Sequence, residues 1–312
     1  MAWFFVVLGL VTLLLAGDFL VRAAVNLALR LGISALVVSL TVVAFGTSAP
    51  ELLIVLSAMA DDAPGLAMGN IVGSNTANIL LVLGLPALVA GLYTTGFDTK
   101  KAFISMILAT VLFITLAFVG PFSWWHGGLM LAVLAAILLD QAWTARRVSR
   151  VAVATEDLNG VDTSMPGWKI TLYLLFGLVG LPLGAKVLVV NAEIIAREFG
   201  VPETAIGLTL IAVGTSLPEL ATTTVAAIRR QADVALGNVI GSNMFNLLAI
   251  IGIAALVGPI PVADEFLRFD LWVMLAASFL LIPFVFFGRN ITRIWGAALT
   301  LLYMAYLLVV LL

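Results

Sequence analysis

The stretch AVGTSLPELATTTVAAIRRQADVALGNVIGSNMFNLLAIIG, residues 212 to 252, places a glutamate, a proline, glycines and three asparagines inside a run otherwise apolar enough to cross a membrane. A close copy lies 168 residues earlier. AFGTSAPEL (44–52) aligns with AVGTSLPEL (212–220), and GNIVGSNTANIL (69–80) with GNVIGSNMFNLL (237–248); from Ala44 to Gly84, 17 of 41 positions are identical without a gap. An internal repeat of this length is a duplicated structural unit.

Composition says in what medium the unit folds. The chain has 312 residues, 63% hydrophobic and 10% charged, with mean hydropathy +1.20, and is read as a polytopic membrane protein. Net charge is −2 and no basic patch stands out, which sets nucleic-acid binding aside. With no cysteine and a single histidine, His126, thiolate metal sites, disulfides, haem ligation and Cys/His nucleophilic chemistry are excluded. The N-terminal run MAWFFVVLGLVTLLLAGDFLVRAAV lacks a basic leader and a small-residue cleavage site, so it is read as a retained first span.

Crossing a ~30 Å hydrocarbon core takes ~20 apolar residues. Cutting at charged and Gly/Pro-rich breaks yields ten segments, at 3–25, 33–60, 66–92, 102–119, 126–145, 168–195, 203–228, 234–258, 270–287 and 293–311. The fold class expected is therefore all-α, with a first five-helix repeat over 1–145, a cytoplasmic linker at 146–167 and a second repeat over 168–312. Five is odd, so the second copy enters from the opposite side, as in inverted-repeat transporters whose broken helices meet at the midplane. With the N-terminus outside, Arg22, Arg30, Lys100, Lys101, Arg146, Arg147, Arg150, Lys169, Arg229, Arg230, Arg289 and Arg293 fall inside, against Arg197 and Arg268 outside, with Lys186 within a helix. The positive-inside rule then puts both termini outside.

The polar residues supply a reason for the breaks. Pro218 has no N–H to donate and crowds the carbonyl of Gly214, as Pro50 does that of Gly46, so each helix is expected to break near its GTS motif. Freed carbonyls are tolerated at membrane depth only where they line a cavity, and carbonyl oxygens suit a hard cation. Thr47 and Glu51 share a helical face at i, i+4, as do Ser74 and Asn78 on the next helix; with Ser48 these are all oxygen bearers. The second copy supplies Thr215, Ser216, Glu219, Ser242 and Asn246. This inventory of oxygens fits Ca2+ or Na+ and not Zn2+ or Cu2+. A single Ser-x-x-Glu would be an ordinary packing feature of membrane helices; two copies in register, each with a proline break and a costly buried carboxylate, point to a cation site.

GTSAPE…GNIVGSNTAN and GTSLPE…GNVIGSNMFN resemble the two α-repeats of the sodium/calcium exchanger family, within the cation/Ca2+ exchanger superfamily, and the likeness extends through GDFLVRAAVNLALRLGIS in the first helix. The resemblance implies a secondary active antiporter of the prokaryotic type, not an enzyme, that exchanges Na+ for Ca2+ by alternating access. It implies no cofactor, with Ca2+ and Na+ (or H+) as substrates and the lipid bilayer as surroundings. A monomer in the prokaryotic inner (plasma) membrane is the working expectation. By the same resemblance Glu51 and Glu219 bridge the Ca2+ site and flanking Na+ sites, Thr47, Thr215, Ala44 and Ala212 offer carbonyls, Ser48, Ser74, Ser216 and Ser242 offer hydroxyls, and Asn78 and Asn246 complete the centre. Some relatives carry Asp at the position of Asn246. Here the site holds a formal −2, so Ca2+ and a load of three Na+ differ in charge, three-to-one exchange would be electrogenic, and a K+ requirement is not expected.

The remaining polar residues read as structural. Asp18 and Arg22 form an i, i+4 helix-end pair, and Lys186 occupies the repeat position of Asp18 at a rim. His126, after FSWW, belongs to an outer aromatic belt. The acids of EDLNGVD lack EF-hand spacing, Asn290-Ile-Thr is a sequon in spelling only, Thr222 to Thr224 back-bond to their helix, and Asp61-Asp62 are solvated or draw cations weakly to an outer mouth. The nearest rival function is a Ca2+/H+ exchanger using the same glutamates. An intramembrane hydrolase at Ser48 or Ser216 would lack a base, and a channel would conduct without a counter-ion.

Overall fold

The computed structural model describes residues 1–94, 99–148, 165–200 and 212–311. Its elements are helical: α1 (Ala2–Leu31), α2 (Ala35–Thr47), α3 (Ala49–Ala60), α4 (Pro64–Ala90), α5 (Lys100–Val119), α6 (Trp124–Val148), α7 (Gly167–Glu198), α8 (Ala212–Thr215), α9 (Leu217–Ile228), α10 (Ala232–Val257), α11 (Phe266–Phe286) and α12 (Arg293–Leu311). Among the described residues there are no strands, only isolated bridges joining Leu92 to Ile291 and Phe122 to Ile260. Eight of the helices are long and apolar enough to span a membrane, and α2 with α3, bent by 40° at their junction, make a ninth if taken as one span. The segment expected at 203–228 is described only from Ala212 onward. Most of the polar linker, EDLNGVD included, lies outside the described residues.

Burial orders these helices. In α4 and α10, which carry the GN…GSN motifs, 83% and 89% of the most apolar window is buried, against 22% in α6 and α7 and 17% in α12. The helices that carry the repeated polar motifs are thus the centre and α6, α7 and α12 the wall, so the motifs are screened from lipid by protein. Small residues let the centre close. At Gly241 an added Cβ would stand 2.5 Å from the Leu40 carbonyl oxygen and 2.6 Å from Ala44 Cβ, so α10 and α2 meet backbone to backbone. Likewise α1 and α7 touch along Gly9, where a Cβ would lie 2.7 Å from the Leu188 nitrogen.

Four π-helical turns among the described residues depart from plain α-helix at positions the sequence did not reveal, one of them over Phe266–Asp270 at the start of α11. The others run over Ser39–Val43 in α2, Asn78–Val82 in α4 and Phe245–Ile250 in α10. The last two begin at or beside Asn78 and Asn246. Such turns widen a helix and are often found at functional positions.

Candidate cation site

Both breaks fall where the prolines require. The chain leaves helical geometry at Ser48 (φ −82°, ψ 0°) and at Ser216 (φ −89°, ψ 5°), and Pro50 and Pro218 then sit in the first turns of α3 and α9, where a missing N–H costs nothing. Glu51 and Glu219 also lie in those first turns. A helix N-terminus carries partial positive charge, so both carboxylates are held where the backbone favours an anion.

The two breaks are brought together with the middles of α4 and α10. Thr47 Oγ1 donates to Asn238 Oδ1 at 3.2 Å and lies 3.4 Å from Ser242 Oγ. Ser74 Oγ lies 3.5 Å from Thr215 Oγ1. The Thr47–Ser242 and Thr215–Ser74 contacts are each other's images under the 168-residue shift. Asn78 Nδ2 donates to Asn243 Oδ1 at 3.0 Å, tying α4 to α10 between them.

What remains without a protein partner is informative. Glu51 and Glu219 are fully buried, yet neither oxygen of either carboxylate accepts a hydrogen bond by distance and angle; Ser48 Oγ, Ser216 Oγ, Asn78 Oδ1 and both polar atoms of the Asn246 amide are likewise buried and unpartnered. Among the described residues no ion pair reaches either glutamate. Buried carboxylates without donors or basic partners are strongly disfavoured. A cation among these oxygens would remove the penalty. The described residues hold no cluster of three His, Cys, Asp or Glu, so the donor set is two carboxylates among neutral oxygens.

Of the twelve candidates, Thr47, Ser48, Glu51, Ser74, Asn78, Thr215, Ser216, Glu219, Ser242 and Asn246 are buried around the two breaks. Ala44 is buried too, but its carbonyl already accepts from the Ser48 amide at 3.0 Å and lies 3.3 Å from Thr47 Oγ1, so it would have to share with an ion. Ala212 opens α8, one turn before the second break.

Sequence reading missed the shell behind the site. Asn238 is held by Thr47, by the Glu219 carbonyl (3.5 Å) and by Thr223 Oγ1 (3.3 Å), and Asn243 spans to Asn78 and to the Asn75 carbonyl (3.4 Å). The signal was available: Asn75 and Asn243 are identical repeat positions, as are Asn70 and Asn238. Thr222 and Thr224 do back-bond, to the carbonyls of Pro218 (2.8 Å) and Leu220 (2.6 Å). His126 is buried against protein, while Trp124 and Trp125 before it are exposed; Ser123 N–H donates to its Nδ1 at 3.1 Å and its ring stacks on Trp125. Asp18 pairs with Arg22 at 2.9 Å as expected, but it also accepts from Arg229 of α9, so it is more than a helix-end pair.

Comparison with known proteins places this geometry. The family model described as sodium/calcium exchanger protein matches residues 1–143 and 169–312. The sodium/calcium exchanger MaX1 of Methanosarcina acetivorans is 34% identical, over 97% of this chain and 96% of its own. The inner membrane protein YrbG of Escherichia coli is 34% identical, over 87% and 85%. A solved structure of the sodium-calcium exchanger NCX_Mj, soaked with Na+ and Sr2+ in work on extracellular ion exchange and binding-site occlusion, superposes with TM-score 0.83 at 30% identity, covering 98% of this chain and 97% of that one.

Proposed function

From the premise that this chain belongs to the sodium/calcium exchanger family and is a membrane-embedded cation/Ca2+ antiporter, we propose that its coupling ion is Na+. Glu51 and Glu219 bind the cation between them, and the hydroxyl, amide and carbonyl oxygens of Ala44, Thr47, Ser48, Ser74, Asn78, Ala212, Thr215, Ser216, Ser242 and Asn246 complete the shells of Ca2+ and Na+. The observation that carries this reading is the pair of fully buried carboxylates that, among the described residues, have no basic partner and accept no hydrogen bond by distance and angle. Two negative charges match one Ca2+, and Na+ offers a second way to neutralise them.

The mechanism follows from competition. Ca2+ and Na+ claim the same carboxylates, so occupation by one expels the other, and the site must present itself to each side in turn. We read the chain as ten spans in two inverted five-helix repeats, 1–145 and 168–312 joined by a cytoplasmic linker, with both termini outside an inner membrane. The repeat-related contacts Thr47–Ser242 and Thr215–Ser74 support that reading, as do the bridges Leu92–Ile291 and Phe122–Ile260, which the 168-residue shift interconverts to within one residue. In it, α1 and α7 move as a pair past the remaining helices, consistent with their glycine-mediated contact.

A Ca2+/H+ exchanger would use the same two carboxylates as proton carriers. Uptake of 45Ca2+ into proteoliposomes separates the two: an imposed Na+ gradient drives it here, and a pH gradient alone does not. Uptake driven only by the pH gradient would overturn Na+ coupling.

A further inference from the structure

The turns after α3 and α9 are the same backbone carrying opposite charge. After α3 the amides of Asp61, Asp62 and Ala63 donate to the carbonyls of Ser57 (2.9 Å), Met59 (3.3 Å) and Ala58 (2.8 Å); after α9 those of Arg229, Arg230 and Gln231 donate to Val225 (2.9 Å), Ala227 (3.1 Å) and Ala226 (2.9 Å). Asp62 and Arg230 share the left-handed conformation, φ 54° and 58°. Each atom pair maps onto its partner by the 168-residue shift. The same shift carries Asp18 of α1 onto Lys186 of α7. The Asp18–Arg229 ion pair therefore has a mirror, Lys186–Asp61, with its charges exchanged.

Only one of the two is made. Asp18 accepts from both Nε and Nη2 of Arg229 as well as from Arg22, and α1 lies along α9, where a Cβ on Gly17 would stand 3.2 Å from the Ala221 carbonyl oxygen. At the mirror position Lys186 and Asp61 are both exposed, no ion pair joins them among the described residues, and the hydrogen bond to Asp61 comes from Ser57 at 3.5 Å. Leu53, the image of Ala221, is 69% exposed against 7%, and Ile54, the image of Thr222, 38% against 0%. Helix α7 does not lie along α3 as α1 lies along α9.

We propose that these are two alternating latches: Asp18–Arg229 holds shut the end of the site beside the turn after α9, and Lys186–Asp61 holds shut the opposite end once α1 and α7 have shifted. The inference rests on the alternating-access reading above. Two placements gain a reason from it. Asp61 stands at a helix C-terminus, where the backbone dipole disfavours an acid, and Lys186 is a cation within a spanning helix that no ion pair reaches among the described residues. A latch lost at one end is replaced by a similar one at the other, so the movement is not opposed by a net loss of ion pairs.

The chain has no cysteine of its own, so introduced thiols report without background. In membrane vesicles, Asp18→Cys with Arg229→Cys, and Asp61→Cys with Lys186→Cys, are each expected to couple through a short bifunctional thiol reagent. In the four-cysteine variant the two links are expected never to occur in one molecule. A 61–186 pair that never couples, or both links in the same molecule, would overturn the proposal. Charge gives the second readout: Asp61→Lys is expected to slow exchange roughly fivefold to tenfold, the scale of one partly exposed pair lost and turned repulsive, and Lys186→Asp added to it to restore the rate. A double variant as slow as the single would also overturn it. Cross-linking requires no assumption about the transported ion, so a failed Na+/Ca2+ assay with intact cross-linking removes the exchange reading alone.

Discussion

Replacing Glu51 by Gln keeps the shape of the side chain and removes one of the two charges that a cation would meet. At a coordination distance of ~2.4 Å and an effective dielectric constant of ~20, the attraction lost is ~14 kcal/mol for Ca2+ and ~7 kcal/mol for Na+ before desolvation is returned. The net loss is far smaller, about 2–5 kcal/mol for truncating one partner of a buried charge pair, which is roughly thirtyfold to several thousandfold in Ca2+ affinity. The twofold ratio between the ions survives, so Glu51→Gln is expected to abolish Ca2+ transport while weakening Na+ less. Stability should move the other way. Neither oxygen of Glu51 accepts a hydrogen bond by distance and angle, and among the described residues no ion pair reaches it, so without ions the amide relieves an uncompensated charge. Thermal unfolding in choline buffer with a chelator should therefore occur a few degrees higher in Glu51→Gln than in the wild type, a difference on the order of 1–3 kcal/mol. Adding Ca2+ at ~100 times its dissociation constant should stabilise the wild type by about 2.7 kcal/mol and the variant hardly at all. A variant that melts lower than the wild type without ions and still responds fully to Ca2+ would refute the assignment of Glu51 to the site.

Asn246→Asp adds a third negative charge beside the glutamates, and transport should become dependent on protons or on K+ near neutral pH, whereas wild-type Na+-driven Ca2+ flux should be unchanged when choline replaces K+ at clamped potential; a strict K+ requirement in the wild type would contradict the charge count. A cysteine at Asp62 should react with an impermeant thiol reagent from outside and one at Arg230 only from inside, and labelling from one face would remove the inverted-repeat reading. Gly241→Leu should abolish folded protein in a detergent size-exclusion profile, because even its Cβ would meet the Leu40 carbonyl at 2.5 Å, while Gly241→Ala should cost about 1–3 kcal/mol; a stable Gly241→Leu protein would show that α2 and α10 can part.

Much of the site could be read from residues because its chemistry is written twice. Pro50 and Pro218 announce the breaks at Ser48 and Ser216 through a property of the residue itself, and the expense of a buried glutamate marks Glu51 and Glu219 without knowledge of any neighbour. The second shell could not be read the same way. That Asn238 should hold Thr47, 191 residues earlier, or that Asn243 should bridge to Asn78, depends on how three helices converge. The π turns at Asn78 and Phe245 are equally silent, since the apolar period around them continues as in any α-helix. The burial of His126 is hidden too, because it is set by contacts with Ser123 and Trp125 and not by the run of aromatic residues before it. Asp18 was underestimated for a similar reason: Arg22 is four residues away in sequence and Arg229 is 211.

The bridges Leu92–Ile291 and Phe122–Ile260, with the contacts of Thr47 to Asn238 and Ser242, have a consequence during synthesis. Each joins residues made more than a hundred positions apart, so at about 5–20 residues per second these residues of the first half wait roughly 7–40 s for the groups that close them. Throughout that interval Glu51 has neither the opposing carboxylate's shared cation nor the helices that will bury it, and an isolated carboxylate is poorly tolerated in hydrocarbon. The nascent first half is therefore expected to stay where water or insertion machinery can reach its broken helix, and the proposed cation site would come into being only when the last third of the chain arrives.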